Sequence, residues 1–421
     1  MPESQNDAPS TDASITIVLV AGEDSGDNLG APLIRKIKRQ YPNARFMGIG
    51  GPLMIKEGLE SWFDIDQLSV NGFIDPIKRF PSLLKILLTL RSRILKTPPD
   101  CFVGIDFNFF NLLLEGLVKK RGIKTAHYVS PTIWAWRSGR IKGIKKNVDL
   151  MLTLYPFENE IYEEHDVGVK FVGHPKSHEI GPDTGARERS SSRQLLGYDE
   201  NDEIIAILPG SRSSEVSYSG PDFFAAAKLI GDSKPSCKFV VPAANAKRMA
   251  QIKKMLEEFD LDVDLQLIEG QSREAMTAAD VVLVNSGTAT LEALLLKRPM
   301  VMSYRLGKLT YRIVSRLART KYFALPNVLA GRELIPEFIQ SAATPENLSE
   351  AVLNMFNPDI RDSLLGEFDK IHKQLRLDSG SVAADAIIGL CLSENSLSKN
   401  NSSKSYGTTT KLHQKPETKN V

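Results

Sequence analysis

The chain has 421 residues, of which 42% are hydrophobic and 25% are charged, as in an ordinary globular protein with room for two domains. Its formal net charge of +2 argues against a dedicated nucleic-acid-binding protein, because such proteins usually carry a strong basic excess. The three cysteines, Cys101, Cys237 and Cys391, have neither the spacing of a metal motif nor the even count of a disulfide framework, which indicates a reducing, cytoplasmic compartment.

Both ends of the chain are polar. We predict disorder for residues 1–14 and for a tail at 394–421 that is rich in Ser, Asn, Lys and Thr, because neither has enough apolar side chains to bury. The first residues lack the basic start and apolar stretch of a signal peptide, and no apolar run reaches the ~18 residues of a membrane-spanning helix. We therefore expect any membrane contact to be peripheral.

Apolar strands alternate with helical patterns along the chain. The runs ITIVLVA, RFMGIGG, CFVGID, KTAHYVS and DLMLTLYP form a first series, and a second series begins with EIIAILPG and continues through KFVVPAA, LQLIEG, DVVLVNSG and PMVMSY. Continuous apolar strands between helices are typical of a parallel sheet that is covered on both faces. The sequence therefore predicts an α/β fold with two doubly wound parallel-sheet domains, and one large α/β domain is the less favoured alternative.

The predicted boundaries follow the polar stretch between the two series. They give a first domain at 15–178, a linker at 179–202, a second domain at 203–345 and C-terminal helices at 346–393. Open α/β sheets bind ligands beyond the carboxyl ends of their strands, so we expect the functional site in the cleft between the two domains.

The first strand ends in the glycine-containing loop AGEDSGDNLG. Its glycines permit a tight turn, and the part of the loop formed by Ser25, Gly26 and Asp27 can contact a hydroxyl-rich or anionic ligand at the floor of the cleft. An ordinary turn, in which the polar side chains cap the helix that follows, fits the same residues equally well.

Two loops in the second half of the chain suit a diphosphate. The sequence LPGSR offers backbone N–H groups and the guanidinium of Arg212, which matches phosphate oxygens bidentately. The strand VVLVN leads into small residues that open a helix with a positive dipole end, and Glu292, one turn inside, can accept hydrogen bonds from a ribose. A solvated surface turn and a plain capped helix are the alternatives, but two such loops together favour a nucleotide. The residues of the two loops are Gly210, Ser211, Arg212, Ser286, Gly287, Thr288, Ala289 and Thr290.

Asp106 follows the apolar strand CFVGI and is expected to point into the cleft. A carboxylate there can act as a general base, with its pKa raised by the apolar neighbours Phe107 and Phe109. Capping of the next helix is an equally common role for an aspartate at this location.

Two further segments fit either lipid contact or core packing. Residues 74–96 combine apolar side chains with Lys and Arg, which suits a helix packed on the sheet or a surface that meets anionic headgroups. Trp134 and Trp136 lie beside a basic run and can stack a base, anchor at headgroups or pack in the core. Two DxD-like strings, at 64–66 and 260–264, are interpreted as solvated turns, so no metal is predicted.

Eight motifs, in the order of the chain, resemble those of the bacterial lipid-A-disaccharide synthase family and together cover about 15–392. The resemblance implies a GT-B fold, in which two Rossmann-like domains face each other across a cleft. It also implies a hexosyltransferase that moves 2,3-diacylglucosamine from its UDP derivative to 2,3-diacylglucosamine 1-phosphate (lipid X), without a metal or other cofactor. The motifs are AGExSGDxLGA at 21–31, VGID at 103–106, HYVSPxxWAWR at 127–137, FVGHP at 171–175, LPGSRxxEV at 208–216, NAKR at 245–248, SGTAxLE at 286–292 and LPNxLAGRELxPE at 325–337.

The resemblance also implies roles for individual residues. The essential Asp and Arg of the family fall at Asp106 and Arg212. Related enzymes are peripheral on the cytoplasmic face of the inner membrane, with 74–96 as the expected contact here, and can form homodimers that exchange C-terminal helices. The implied UDP contacts are Gly210, Ser211, Arg212, Ser286, Gly287, Thr288, Ala289, Thr290, Glu292, Asn327 and Glu333, and the implied acceptor side of the cleft is Ser25, Gly26, Asp27, Asn111, Ser130 and Trp136.

The sequence departs from the family pattern in the loop around Asp106. Where the family usually reads VGIDxPDFN, Asn108 replaces the proline and Phe109 replaces a second acidic residue, which leaves one carboxylate in this loop. Two rival functions remain open at this point. One is a UDP-sugar 2-epimerase of the same fold, which needs further acid and base residues in the cleft, and the other is a non-catalytic protein that binds a UDP-sugar or lipid.

Overall fold

The computed structural model describes residues 14–68, 76–135, 138–259, 261–307, 310–312, 315 and 320–393. Within them, two parallel β-sheets are each covered by helices, which confirms the predicted α/β fold with two doubly wound sheets. The segments 1–13 and 394–421, for which the sequence predicts disorder, lie outside the described residues, as do residues 74 and 75 of the amphipathic stretch.

The first sheet has seven strands: β1 (Thr16–Ala21), β2 (Arg45–Ile49), β3 (Leu59–Ser61), β4 (Cys101–Ile105), β5 (Lys124–Tyr128), β6 (Leu150–Thr153) and β7 (Gly168–Phe171). Their order is β3-β2-β1-β4-β5-β6-β7, and the pairings are parallel throughout. Ile17 of β1 lies opposite Phe46 on one side and Cys101 on the other. The central strands are apolar on both faces because helices cover both faces of the sheet.

The helices of the first half are α1 (Asp24–Gln40), α2 (Pro52–Lys56), α3 (Pro76–Lys96), α4 (Asn108–Lys119), α5 (Ile141–Asn147), α6 (Glu158–Glu163) and α7 (Lys176–Glu179). Helices α3 and α4 pack on one face of the sheet, where Leu90 and Leu114 join the core cluster that contains Phe102 of β4. Helix α1 packs on the opposite face through Leu33 and Ile37.

The second sheet has six strands: β8 (Glu203–Leu208), β9 (Cys237–Ala243), β10 (Leu265–Glu269), β11 (Val281–Asn285), β12 (Met300–Tyr304) and β13 (Glu337–Ile339). Their order is β10-β9-β8-β11-β12-β13, again with parallel pairing throughout. The helices of this half are α8 (Thr184–Arg187), α9 (Arg189–Leu196), α10 (Ser213–Ser233), α11 (Ala246–Phe259), α12 (Ser272–Ala278), α13 (Thr288–Leu295), α14 (Leu325–Ala330) and α15 (Pro345–Asn354).

Each sheet has one point at which the strand order reverses. In the first sheet this switch point lies between β1 and β4, and in the second it lies between β8 and β11. The loops beyond the carboxyl ends of two such strands diverge to opposite faces and leave a crevice in which ligands bind. The four loops that the sequence singles out follow these four strands, so the topology brings them together in two pairs.

The last two helices, α16 (Pro358–Leu375) and α17 (Ser379–Leu392), connect the second half of the chain to the first. Leu375 and Phe368 of α16 belong to the core of the second half, whereas Ile387 of α17 is buried in the core of the first. Polar contacts also fix α17 there, because Gln40 Nε2 of α1 donates to Asp385 Oδ1 at 2.6 Å. The C-terminal segment therefore crosses back to the first sheet.

Helix α3 is amphipathic in the structure. Ile86, Leu87, Leu90 and Ile94 are buried, whereas Phe80, Leu84 and Leu88, each four residues apart, are exposed as one stripe. Part of this stripe borders a shallow hollow of 530 Å³ to which Lys85 also contributes. Of the helices in the described ranges, none has the length and apolarity to cross a membrane.

Candidate active site

A cavity of 490 Å³ opens at the switch point of the second sheet, where the neighbouring strands β8 and β11 end. Helix α13 begins at Thr288 beside this cavity, and the first N–H groups of a helix have no intrahelical acceptor. The positive end of the helix dipole and the guanidinium of Arg212 therefore meet at one hollow, which suits a phosphate-bearing ligand. The lining includes Gly210, Ser211, Arg212, Ser286, Gly287, Thr288, Ala289 and Glu292.

Glu215, in the first turn of α10, holds the loop after β8. Gly210 has a φ of +128°, and a Cβ there would lie 2.4 Å from the Cβ of Glu215, so glycine is required. Oε2 of Glu215 accepts the N–H groups of Ser211 at 3.0 Å and Arg212 at 3.1 Å. These two backbone donors, which the sequence suggests are free for a phosphate, are therefore already bonded to a carboxylate.

The side chain of Arg212 is 80% exposed at the rim of the cavity. Its Nη1 lies 2.8 Å from Oε1 of Glu215, and this contact leaves most of the guanidinium donors facing solvent. The positive charge that this loop offers to a ligand therefore comes from the side chain rather than from the backbone.

Asn285, the last residue of β11, lines the same cavity and is absent from the sequence-based predictions. The residue is 4% exposed, and its Oδ1 accepts the hydroxyl of Ser219 at 3.0 Å. Its Nδ2 is buried without a hydrogen-bond partner among the described residues. Buried amide donors are rarely left unpaired, so this atom is suited to an oxygen of the ligand. A polar residue at the end of the apolar run VVLV is the sequence signal that points to it.

Glu292 forms an ion pair with Lys176, whose Nζ lies 3.0 Å from Oε1. Lys176 begins α7, shortly after β7 of the first sheet, whereas Glu292 lies in α13. The ion pair thus joins the regions beyond the carboxyl ends of the two sheets. A ribose hydroxyl at Glu292 would share that carboxylate with Lys176, which lies outside the sequence motifs.

Thr290, Asn327 and Glu333 do not line the cavity. Thr290 is fully buried, and its hydroxyl donates to the Gly287 carbonyl at 2.8 Å, which stabilises the first turn of α13. The buried Oδ1 of Asn327 accepts the N–H of Leu334 at 2.7 Å, and its Nδ2 donates to Glu337 at 2.7 Å. Glu333 borders a separate hollow of 300 Å³. Asn327 therefore shapes the loop that follows α14 instead of presenting its side chain to the cavity.

Asp106 lies at the switch point of the first sheet, directly after β4. Asp106 and Phe107 both have left-handed backbones, with φ of 51° and 44°, a conformation that costs on the order of 1–3 kcal/mol per residue and clusters at functional sites. The carboxylate accepts the hydroxyl of Ser25 at 3.3 Å and the Nδ2 of Asn108 at 3.4 Å. Helix α4 starts after Phe107 without a side-chain cap, so the capping role is not what the structure describes.

A second carboxylate, Glu23, lies close to Asp106. Its pKa is raised first by burial, then by the charge of Asp106 and then by that of Asp24. Because Glu23 follows β1 and Asp106 follows β4, the switch point brings together two acidic groups that are far apart in sequence. The loss of the family's acidic residue at Phe109 therefore does not leave Asp106 as an isolated carboxylate.

Two residues predicted for the acceptor side hold the loop after β1 in place. Asp27 is 3% exposed, and its carboxylate accepts the N–H groups of Gly51, Leu53 and Met54, each at 2.9 Å, so that it caps α2 instead of α1. At Gly26, a Cβ would lie 2.9 Å from that of Ala21, so the glycine permits close packing of α1 on β1. Ser25 is the member of this loop that reaches Asp106.

Asn111 and Ser130 are also internal. The fully buried Nδ2 of Asn111 donates to the carbonyls of Val20 at 3.0 Å and Asp106 at 2.9 Å, which ties β1 to the turn after β4. The hydroxyl of Ser130 lies 2.7 Å from that of Tyr162. Trp136, the remaining predicted residue, lies outside the described residues.

The remaining sequence signals have structural roles. Trp134 is half-buried, stands edge-on to Phe157 at 5.2 Å and packs against the core of the second half, as the core-packing alternative requires. Asp64 accepts the N–H of Asp66 at 3.0 Å in an exposed turn. Within the described ranges no three acidic, His or Cys side chains cluster as metal ligands would.

Solved structures share this architecture at low sequence identity. A UDP-GlcNAc 2-epimerase from Neisseria meningitidis, solved with UDP-GlcNAc, matches with a TM-score of 0.57 and 11% identity over 90% of this chain and 100% of that one. A glycosyltransferase from Rickettsia africae gives the same TM-score, identity and coverage. At this identity the likeness establishes the fold alone, which is the GT-B arrangement of two Rossmann-like domains.

Sequence relatives identify the family. The lipid-A-disaccharide synthase of Cellvibrio japonicus is 50% identical over 375 residues, which are 89% of this chain and 97% of that protein. The corresponding protein of Hahella chejuensis is 47% identical over 91% of this chain and 96% of its own length. The family model described as lipid-A-disaccharide synthetase matches residues 17–379. The chain therefore belongs to the lipid-A-disaccharide synthetase family.

Proposed function

We propose that this protein is a hexosyltransferase that makes the lipid A disaccharide. It transfers 2,3-diacylglucosamine from UDP-2,3-diacylglucosamine to the 6-hydroxyl of 2,3-diacylglucosamine 1-phosphate, which gives the β-1,6-linked disaccharide 1-phosphate and UDP. The relative from Cellvibrio japonicus, a lipid-A-disaccharide synthase at 50% identity over 97% of its length, carries this proposal. The phosphate-suited cavity in the second half supports it independently.

The two halves divide the substrates between them. Residues 15–178 bind the acceptor, residues 203–345 bind the UDP-sugar, and 179–202 link the two domains. This division is supported by the difference between the two switch points. The first carries Asp106 and Glu23, whereas the second carries a guanidinium and a helix N-terminus, and its two carboxylates, Glu215 and Glu292, are each paired with a basic side chain. A carboxylate suits a hydroxyl nucleophile, and positive charge suits a departing diphosphate.

The reaction is a direct displacement with inversion. Asp106 takes the proton of the acceptor 6-hydroxyl as its oxygen attacks C1 of the donor sugar. The bond between C1 and the β-phosphate oxygen breaks, and its electron pair leaves with UDP. Arg212 and the N-terminus of α13 offset the charge that develops on the phosphate, and closure of the cleft excludes water that would hydrolyse the donor.

One assay tests the activity against its rivals. The purified protein is incubated with both acylated sugars, and mass spectrometry follows the disaccharide 1-phosphate while a coupled assay follows UDP. We expect both products in equal amounts, and UDP formation that depends on the acceptor. Conversion of UDP-GlcNAc alone to UDP-ManNAc would instead identify an epimerase, and the absence of UDP release with both substrates would identify a binding protein.

The unpartnered amide of Asn285 gives a prediction for donor binding. We expect Asn285→Asp to raise the Kd for UDP by on the order of tenfold to a hundredfold, because a donor is lost and a negative charge is placed at a phosphate-suited cavity. Isothermal titration with UDP measures the change. Asn354→Asp, at an exposed position that does not line the cavity, is the control for the added charge. An unchanged Kd in Asn285→Asp would exclude contact between this amide and UDP.

We also propose that the protein attaches peripherally to the cytoplasmic face of the inner membrane through α3. Phe80, Leu84 and Leu88 supply an exposed apolar stripe, and Lys85 supplies a positive charge for anionic headgroups. We expect Leu84→Glu and Leu88→Glu each to weaken binding to anionic vesicles on the order of tenfold to a hundredfold, because burial of a leucine contributes about 1.5–3 kcal/mol. Vesicle co-sedimentation measures the affinity.

Leu195→Glu is the matched control for this experiment. Leu195 is 61% exposed on α9, compared with 42% for Leu84 and 52% for Leu88. Leu195→Glu therefore makes the same chemical change at a similarly exposed leucine on a different helix. Equal losses for the α3 and α9 variants would rule out α3 as the attachment surface.

We further propose that the packing of α17 on the first sheet, which the structure describes within one chain, is exchanged between the two chains of a homodimer, as the family resemblance implies. Cys391 in α17 lies near Cys101 in β4, and the neighbouring thiol, followed by burial, raises the pKa of Cys101. In a Cys237→Ser background, mild oxidation with diamide should link these two thiols. If α17 is exchanged, the product on a non-reducing gel is a covalent dimer that Cys391→Ser abolishes. A disulfide within one chain would contradict the exchange.

A further inference from the structure

Four side chains form a line from the interior of the first half to the carboxylate of Asp106. Nδ1 of His127, on β5, lies 2.7 Å from Oε1 of Glu115 on α4. Nε2 of His127 lies 3.0 Å from Oδ1 of Asn108, whose Nδ2 is 3.4 Å from Oδ1 of Asp106. Glu115 and His127 are fully buried.

The carboxylate of Asp106 fixes the hydrogen-bond direction along this line. An ionised carboxylate only accepts hydrogen bonds, so the amide of Asn108 turns its NH₂ group toward Asp106. The carbonyl oxygen of that amide then faces His127, and it accepts only if Nε2 carries a proton. The proton between His127 and Glu115 can lie on Nδ1 or on Oε1, but in either case Nε2 of His127 carries a proton of its own, which it donates to Asn108.

The fold makes room for the buried pair. Gly104 of β4 lies beside His127 in the sheet register, and a Cβ on Gly104 would lie 2.3 Å from Oε1 of Glu115. The second oxygen of Glu115 is buried without a hydrogen-bond partner among the described residues. The contact with His127 is therefore the hydrogen bond that this carboxyl group makes within them. Burial raises the pKa of Glu115, and the neighbouring His127 opposes that effect. A buried polar pair with so few partners lowers the stability of the fold, so its place beside the proposed base points to a role in orienting another group.

We infer that His127, held by Glu115, is a positioning residue that fixes the amide of Asn108 so that it donates to Asp106. This inference rests on the proposed role of Asp106 as the base. Without the N–H of His127, the amide oxygen of Asn108 has lost its donor, and the side chain is held only by its 3.4 Å contact with Asp106, so it can swing away from the carboxylate. The side chain of Asp106 then loses one of the two donors that hold its rotamer, the other being Ser25. Misplacement of a reacting group by about 1 Å costs on the order of a hundredfold in rate.

His127→Leu and Asn108→Ala test the inference in the full chain with both substrates. We expect each to lower kcat on the order of tenfold to a hundredfold, with little change in either KM or in the Kd for UDP. The double variant should be no slower than Asn108→Ala, because both changes remove the same contact. His127→Gln, whose amide can donate in place of Nε2, should recover most of the rate.

The Asp106→Asn background separates this inference from the proposed function. Full turnover in Asp106→Asn would overturn the role of Asp106 itself. If Asp106→Asn is inactive but Asn108→Ala retains the wild-type kcat, only the positioning role is overturned. The positioning role would also be overturned if the double variant His127→Leu/Asn108→Ala lost kcat by the product of the two single losses. A third contrary outcome is that Asn108→Ala lowers the residual kcat of Asp106→Asn by the same factor as it lowers that of the wild type. Asn108 is only half-buried, so we expect Asn108→Ala to fold. This variant therefore still tests the inference if His127→Leu, at a buried position, does not fold.

Discussion

Replacement of Asp106 by asparagine is expected to lower kcat by on the order of 10²- to 10⁴-fold, the usual contribution of a positioned general base. Asparagine has nearly the shape of aspartate and can still contact the hydroxyl of Ser25, so the left-handed turn at 106 and 107 should persist. The amide of asparagine cannot take up the proton that the 6-hydroxyl of the acceptor sugar must lose. The KM for the donor should change little, since the donor binds at the second sheet. Steady-state kinetics with both acylated sugars measures the separation.

Asp24→Asn is the matched control for Asp106→Asn. Asp24 is the first residue of α1 and is exposed, and its charge contributes to the raised pKa of Glu23, as does that of Asp106. Removal of this charge should alter kcat by less than about threefold, because exposed charges interact weakly through solvent. Near-normal turnover in Asp106→Asn, with unchanged substrate binding, would show that another group acts as the base. Glu23 would then be the first candidate.

The positions of the candidate site loops follow from local sequence. Each loop comes directly after an apolar strand, and parallel strands present their carboxyl ends at one edge of the sheet. That pattern predicts the loop at 210–212, the start of α13 and Asp106 as candidates. The structure then brings the first two together around one cavity.

The role of each side chain within a loop could not be predicted in the same way, because the partners come from distant parts of the chain. From the sequence, Asp27 is suited to cap its own helix. In the structure its carboxylate instead accepts hydrogen bonds from three N–H groups at the start of α2. Asn111 bonds the carbonyl of Val20, which is 91 residues earlier in the chain. The sequence shows Asn285 as a polar residue at the end of an apolar strand, but only the structure reveals that its Nδ2 has no hydrogen-bond partner among the described residues.

The departures from the family motif around Asp106 have separate structural consequences. Phe109 is 79% exposed on the first turn of α4, so its replacement of an acidic residue adds no side chain to the core. Asn108 points the other way, toward His127 and Asp106. Phe109 therefore changes the surface near the proposed base, whereas Asn108 adds a contact to the carboxylate of Asp106.

Replacement of Arg212 by alanine is expected to lower kcat/KM by on the order of 10²- to 10³-fold, the usual effect of losing one group that stabilises charge in the transition state. The guanidinium is exposed at the rim of the cavity, and the backbone donors of its loop are occupied by Glu215, so the side chain supplies most of the charge that the loop can offer. Arg212→Lys should recover only part of the loss, because an ammonium group lacks the planar fork that matches two phosphate oxygens.

Arg187→Ala provides the control, since Arg187 is 71% exposed and also pairs with a neighbouring glutamate but does not line the cavity. Its kcat/KM should stay within about twofold of the wild-type value, because exposed ion pairs contribute little. The Kd for UDP, measured by titration, distinguishes the two ways in which Arg212 can act. A loss in kcat that exceeds the loss in UDP affinity places the contact in the transition state, as the proposed mechanism requires. If Arg212→Ala weakens UDP binding and leaves kcat unchanged, Arg212 serves only to bind the donor, and α13 with Asn285 must stabilise the leaving group.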